Sequence, residues 1–378
     1  MKELNISVSA PAGLESVTKK ELFKIIGTDA AAHNGRIGFT GNIETVAKCN
    51  LFMRTASRVF IVLGGFKANT FDMLFDGVYD VPFEEYISKD GKIEVFGSCY
   101  ESKLSATTAC AAVIKKSICK RLEKFYGSSL SETAERYKIE FTIRRDYVTL
   151  SLDTSGEGLN RRGYRKTVGS APLKENVAAA LIYLSGWKKT SVLADLFCGS
   201  GTIPIEAALI ARNIPSGFNR DFDFLHYKNF NTDFYADMKS DAAAAIRSGE
   251  DLKIYGFDID ESAVKLSRKH AELAGVCNDV HFQKADMREF KSRQKCGVII
   301  SNLPYGERIL TRKEIIPLYK DYGKVFRSLN EWSCHSLTSV KDFERLFGET
   351  ADKKRKIYSG KLECCYYSVY GAKQDEKN

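Results

Sequence analysis

The strongest constraint on the fold is one local pattern used four times. A short apolar run ends in an acid or an amide. Ser191 to Phe197 carries Asp195, Lys253 to Phe257 leads to Asp258, Val280 to Lys284 to Asp286, and Gly297 to Ser301 to Asn302. Runs of this length bounded by polar residues read as buried strands. A helix is expected after each of the four, and a fifth strand over His335 to Val340. Such alternation predicts an α/β domain with a doubly wound, mostly parallel sheet. The tail differs. Arg355 to Glu363 leads into the β-rich run Cys364 to Tyr370, with Ser359-Gly360 near the turn, so a C-terminal antiparallel hairpin is expected.

Open parallel sheets bind ligands beyond the carboxyl ends of their strands, where these polar residues fall. Asp195-Leu196-Phe197-Cys198-Gly199-Ser200-Gly201-Thr202 joins the first strand to a helix. Glycines there let a ligand approach the backbone beside helix-terminal N–H groups. Pro204 stands where a dinucleotide fingerprint has its third glycine, and no Gly-Lys-Ser/Thr completes a P-loop. An acid before the glycine turn disfavours a pyrophosphate and suits a cationic, amino-acid-bearing ligand. S-adenosylmethionine (SAM) has that character. The residues expected to line its site are Asp195, Phe197, Cys198, Gly199, Gly201 and Thr202. Asp258 can accept from both ribose hydroxyls and Asp286 from an adenine amino group. Ile259 and Met287 would flank the ring, and Asn302 completes the set. One aspartate at a strand end is more often a helix cap; three in register, followed by Asn302, point to a ligand. Asp195 and Asp258 stand 63 residues apart, against about 20 for the usual acidic partner of a glycine turn. The extra length includes Asn219 to Tyr227 and a helix around Asp237 to Arg247. It is either an insertion packed on the sheet edge or a substrate-facing lid.

The fourth strand runs into Asn302-Leu303-Pro304-Tyr305-Gly306. Pro304 fixes φ and Gly306 permits a tight turn. The Asn302 amide oxygen and the Leu303 carbonyl can accept both protons of an exocyclic amine, while Tyr305 stacks on its base. This points to methyl transfer onto a nucleobase amine.

The N-terminal half reads as two α+β pieces. Strands are expected over Leu4 to Val8 and Arg36 to Thr40, with helices over Ala12 to Ile26 and Ile43 to Arg58. A second piece has strands at Lys92 to Cys99, Tyr137 to Ile143 and Tyr147 to Leu152, and a helix over Ser105 to Tyr126. That helix carries cations of nearly one sign, among them Lys116, Lys120 and Arg121. They make either a solvated face or a phosphate-contacting one. Gly156 to Lys166, with Arg161, Arg162 and Arg165, reads as a linker that can also contact a nucleic-acid backbone. Pro172 is expected to open the next helix. A net charge of +9 favours a polyanionic partner. The ten cysteines contain no Cys-x-x-Cys pair, so no metal site is expected. No apolar run approaches the ~20 residues of a membrane span, and no signal peptide is read at the start. A cytoplasmic protein, monomeric and without a membrane partner, is expected.

With these residues assembled, the chain resembles the bacterial RNA methyltransferases of the RlmL and YpsC type along nearly its full length. The resemblance rests on Ala12-Gly13-Leu14-Glu15, Arg162-Gly163-Tyr164-Arg165, Ala171-Pro172-Leu173-Lys174-Glu175, Asp195 to Thr202, and Asn302-Leu303-Pro304-Tyr305-Gly306-Glu307-Arg308. It implies a ferredoxin-like piece over 1–65, an RNA-binding THUMP domain over 66–158 and a Rossmann-like SAM methyltransferase domain over 159–378. It further implies methylation of the 2-amino group of a guanosine in 23S ribosomal RNA, with Asn302, Pro304 and Tyr305 as catalytic residues. Leu303 departs from the second proline of many amino-methylating enzymes but keeps the backbone carbonyl. A tRNA guanosine, the 6-amino group of adenine in DNA, and a non-catalytic RNA-binding assembly factor are the alternatives.

Overall fold

The computed structural model describes residues 2–33, 35–165, 173–305, 311–359 and 362–371. Within them the chain forms two seven-stranded sheets. The N-terminal half comprises β1 (Leu4–Ser9), α1 (Glu15–Ile26), β2 (Ala31–His33), β3 (Arg36–Gly41), α2 (Ile43–Phe52), β4 (Arg58–Lys67), α3 (Phe71–Tyr79), β5 (Lys92–Tyr100), α4 (Thr107–Tyr126), β6 (Arg136–Arg144) and β7 (Tyr147–Asp153). Its strands lie in one sheet, ordered β2-β3-β1-β4-β7-β6-β5. β4 pairs with β1 on one side and β7 on the other, joining the two expected pieces.

The expected second helix was too long, and β4 was not foreseen. The Met53 N–H still bonds the Cys49 carbonyl, but the buried Glu21 carboxylate takes the N–H groups of Arg54 and Thr55 at 2.9 Å each, and the helix ends at Phe52. β4 escapes period-two reading because its register shifts at a bulge between Val62 and Gly64.

The second half comprises α5 (Glu175–Ser185), β8 (Val192–Asp195), α6 (Thr202–Ala211), α7 (Phe234–Ala244), β9 (Ile254–Asp258), α8 (Glu261–Leu273), β10 (Val280–Lys284), β11 (Gly297–Asn302), α9 (Arg312–Arg327), β12 (Trp332–Thr338), α10 (Phe343–Phe347), β13 (Lys353–Ser359) and β14 (Leu362–Val369). The sheet order is β10-β9-β8-β11-β12-β14-β13. β8 to β12 are parallel and the expected hairpin is antiparallel. No helix follows β10. The stretch from 285 to 296 holds a single 3-10 turn, Met287–Glu289, before β11 begins. Its polar second half, Lys291-Ser292-Arg293-Gln294-Lys295, has no apolar stripe for a helix to bury. Pro172, expected to open α5, lies outside the described residues.

The two halves are tied together by short-range fits. Gly13 has φ +88°, and a Cβ there would come within 2.1 Å of the Lys356 carbonyl oxygen, so only glycine allows α1 to approach β13. Leu14 and Val17 pack into the core beneath β8 and β11. The insertion between β8 and β9 is neither a lid nor a filler on its own sheet's edge. Phe222, Phe224, Tyr227 and Tyr235 belong to the N-terminal core. Tyr227 stacks on Tyr137 of β6 with centroids 4.5 Å apart and donates to the Asp153 carbonyl at 2.7 Å. The insertion therefore clamps the N-terminal sheet onto the second domain.

Candidate active site

β8 lies between β9 and β11, and the chain leaves β8 first to one side and later to the other. The crevice at such a reversal is the usual ligand site of a doubly wound sheet. The structure brings Asp195, Gly199, Asp258 and Asn302 to this edge.

Asp195 closes β8 and is 1% exposed. Burial pushes its carboxyl up to about 7, aided by the charge of Asp258; hydrogen bonds from the Ser301 hydroxyl and the Phe197 N–H act the other way. Ser301 Oγ also accepts from the Leu196 N–H at 3.1 Å, pinning the start of the glycine turn to β11. The turn itself has Gly199 at φ +50° and Gly201 at φ +82°. A Cβ on Gly201 would strike Phe282 and Ser267, whereas one on Gly199 would meet nothing within 4 Å. Gly201 thus serves packing, and Gly199 leaves an open approach to the backbone. Asp258 is oriented by two backbone donors: Gly199 N–H to Oδ2 at 2.8 Å and Asp260 N–H to Oδ1 at 3.0 Å.

Other residues expected at the ligand have partners within the protein. The Thr202 hydroxyl is engaged by Arg165. Cys198 is buried, and its N–H bonds the Phe257 carbonyl at 2.9 Å. The Phe197 ring packs edge-on against Tyr322, 5.5 Å between centroids. Asp286 caps the 3-10 turn through the Arg288 N–H and pairs with the Arg288 guanidinium, both at 2.9 Å. Met287 is 3% exposed and packed in the core, while Ile259 is 66% exposed.

At the end of β11, Asn302 Oδ1 is buried and has no hydrogen-bond partner among the described residues. Such an orphan acceptor costs about 1–3 kcal/mol, a cost that a bound donor removes. The following backbone is held rigidly. The Leu303 N–H bonds the Leu337 carbonyl at 3.0 Å, and the Pro304 carbonyl accepts from the Tyr319 hydroxyl at 3.0 Å. Tyr319 in turn is 2.8 Å from Thr338 Oγ1. Tyr305 leans against the core near β14, and its hydrogen bond partly offsets the upward push of burial on the Cys364 thiol. Gly306, Glu307 and Arg308 lie outside the described residues. Sequence reasoning missed Ser301 and Tyr319; a serine inside an apolar strand must find a partner, and that was the available signal for the first.

The six cations expected to meet RNA divide. Arg162 is 5% exposed, bonds the Leu159 and Arg54 carbonyls at 2.5 Å and pairs with Glu206 of α6 at 3.3 Å. Arg165 bonds Thr202 and the Leu173 carbonyl and pairs with Glu175. Arg121 makes a two-pronged pair with Glu84 at 2.6 and 2.7 Å. These three hold the fold. Lys116, Lys120 and Arg161 are exposed, Lys120 beside Glu123 and Arg161 paired with Glu157.

A strand-end acid, an open glycine turn, a second oriented carboxylate and an orphan amide oxygen together fit SAM and an acceptor amine. The fold and site define a SAM-dependent methyltransferase domain. A family model for the RMKL-like methyltransferase domain matches residues 162–368, one for the RlmL ferredoxin-like domain residues 5–60, and one for the THUMP domain residues 68–153. The chain is 36% identical over 373 residues to YpsC of Bacillus subtilis, provisionally described as an RNA methyltransferase, covering 98% of this chain and 97% of that one. It is 31% identical to the ribosomal RNA large subunit methyltransferase K/L of Shewanella baltica, over 96% of this chain but 52% of that enzyme. The crystal structure of SMU.472, provisionally described as a methyltransferase and complexed with SAH, superposes with a TM-score of 0.94 at 40% identity, covering 99% of both chains. The chain belongs to the RMKL-like methyltransferase family, with SAM as its cofactor.

Proposed function

We propose that the protein methylates the exocyclic 2-amino group of a guanosine in large-subunit ribosomal RNA. The observation that carries this reading is the orphan Asn302 Oδ1 at the end of β11. SAM would supply the electrophilic methyl group and depart as SAH, the alkylated nitrogen giving up one proton to water. Asn302 Oδ1 and the Leu303 carbonyl accept the two N–H bonds of the amine, drawing its lone pair out of conjugation. Tyr305 turns from the core to stack on the base, and the target nucleotide leaves its helix or is already unpaired. Proximity and orientation provide most of the acceleration. Asp195 would hold the cationic, amino-acid end of the cofactor, and Asp258 would accept from its ribose hydroxyls. RNA as the substrate, and its large-subunit origin, are carried over from the names of YpsC and the K/L enzyme. Incubation of unmodified 23S, 16S and transfer RNA with methyl-labelled SAM tests this. Label in 23S RNA is expected; label confined to transfer RNA, or none, contradicts it.

Two results should accompany that assay. Asp195 has its carboxyl raised from 3.8 to about 7 in the ligand-free protein, so protonation opposes a cation beside it. SAH, which keeps the amino-acid end, should bind roughly tenfold tighter at pH 8 than at pH 6. Titration calorimetry at the two pH values, with Asp195→Asn expected to flatten the difference, checks this. The sign for folding is opposite. A raised folded-state value means that this group's stabilising contribution is complete below pH 4 and lost as pH rises through 7. Secondly, Tyr319→Phe removes the hydroxyl that holds Pro304. Methyl transfer should fall about tenfold in kcat while the Kd for SAH stays unchanged and the folded protein loses only about 1 kcal/mol. Equal kcat in the variant would show that the Pro304 carbonyl needs no such tie.

A further inference from the structure

The sheet formed by β4, β7, β6 and β5 has two unlike faces. On β6, Tyr137, Ile139, Phe141 and Ile143 are wholly buried beneath the N-terminal core, and the alternate residues point the other way. At one end of that outer face the pairing register aligns Lys67 of β4 with Tyr147 of β7, Tyr147 with Arg144 of β6, and Arg144 with Tyr100 of β5. Cation and ring alternate across four strands. Tyr100 is 58% exposed, Tyr147 48%, and Phe96, on the same face of β5, 38%. The Arg144 guanidinium lies 5.5 Å from the centre of the Tyr100 ring. Tyr147 lies flat across Gly65, where a Cβ would meet its hydroxyl at 2.7 Å, so the missing side chain makes a seat for the ring. The adjacent acid Glu101 is paired with Arg145 at 2.9 Å.

We propose that this face binds a single-stranded RNA segment, with bases stacked on Tyr100, Tyr147 and Phe96 and phosphates met by Lys67 and Arg144. The proposal rests on the reading of RNA as the substrate and adds where the strand lies. Exposed rings on a sheet are poor neighbours for water but suit base faces, and interleaved cations suit the backbone between them. Rings two strands apart are about 10 Å from one another, and Phe96 and Tyr100 about 13 Å apart along β5. Stacked bases in a duplex follow at about 3.4 Å. The rings therefore match bases splayed apart, as a single strand allows and a duplex does not. Lys116 and Lys120 of α4, the helix marked by its charge, carry no such rings on the sheet face and serve as the comparison.

The test uses the full chain and a short, unstructured, fluorescein-labelled oligoribonucleotide, read by anisotropy. Tyr100→Ala with Tyr147→Ala should weaken binding at least tenfold, with SAH affinity unchanged, and Tyr→Phe at both sites should restore it. Lys116→Ala with Lys120→Ala should weaken it less than the ring variants. Binding within twofold of the parent chain in the ring variant overturns the proposal. So does equal affinity for duplex RNA, or tighter binding of the matching single-stranded DNA. Methyl transfer to RNA is measured alongside. Intact transfer with unchanged oligonucleotide affinity removes this surface and leaves the methyltransferase reading standing; loss of the ring effect and absence of transfer are separate failures.

Discussion

Asn302→Ala should lower kcat for methyl transfer by about 100- to 1,000-fold, while the Kd for SAH moves less than about threefold. The asymmetry follows from where the side chain stands. Its buried Oδ1 has no partner among the described residues, so its removal breaks no bond to that oxygen among them. Its backbone is kept by pairing in β11 and by the Leu303–Leu337 bond beyond it. In the proposed reaction, what disappears is an acceptor for the amine at the moment its nitrogen becomes nucleophilic. Single-turnover methylation beside SAH calorimetry separates the two effects. Full activity in the variant would remove Asn302 from the chemistry. A parallel loss of SAH binding would make it a cofactor ligand before anything else.

The second large effect concerns stability. Arg162→Ala should destabilise the protein by about 3–5 kcal/mol and lower Tm by roughly 10 °C. The guanidinium is buried, and Glu206 beside it holds it charged against the burial that works the other way. Removing it strands the Glu206 carboxylate, itself wholly buried, and leaves the Arg54 and Leu159 carbonyls without their donor. Arg162→Met with Glu206→Gln should recover much of the loss, because the unpaired charge is what costs most. Thermal unfolding of the three proteins checks this. An unchanged Tm with weakened RNA binding would return Arg162 to the nucleic-acid surface.

These two residues illustrate what a sequence discloses. Asn302 was legible because Pro304 and the preceding apolar strand fix its place at a strand end whatever the rest of the chain does. The glycine turn was legible for the same reason. Arg162 was misread because a basic, glycine-flanked stretch looks like a phosphate-binding linker until its partner is known, and Glu206 lies 44 residues away. Arg121 and Glu84 repeat the lesson at 37. The insertion between β8 and β9 had two readings and proved to be a third thing, because its aromatic residues bury against β6 in the other half of the chain. Asp286 and Met287 show the limit within the site. The strand end was placed correctly, but a 3-10 turn replaced the expected helix, with Asp286 as its cap and the Met287 thioether buried.

The identity of the modified nucleoside tests most directly whether this site alkylates a guanine 2-amino group, as proposed. RNA labelled by the purified protein and methyl-labelled SAM is digested to nucleosides and separated with mass detection. 2-Methylguanosine from 23S RNA is the expected product. Label migrating as 6-methyladenosine, or as a ribose-methylated nucleoside, would contradict it.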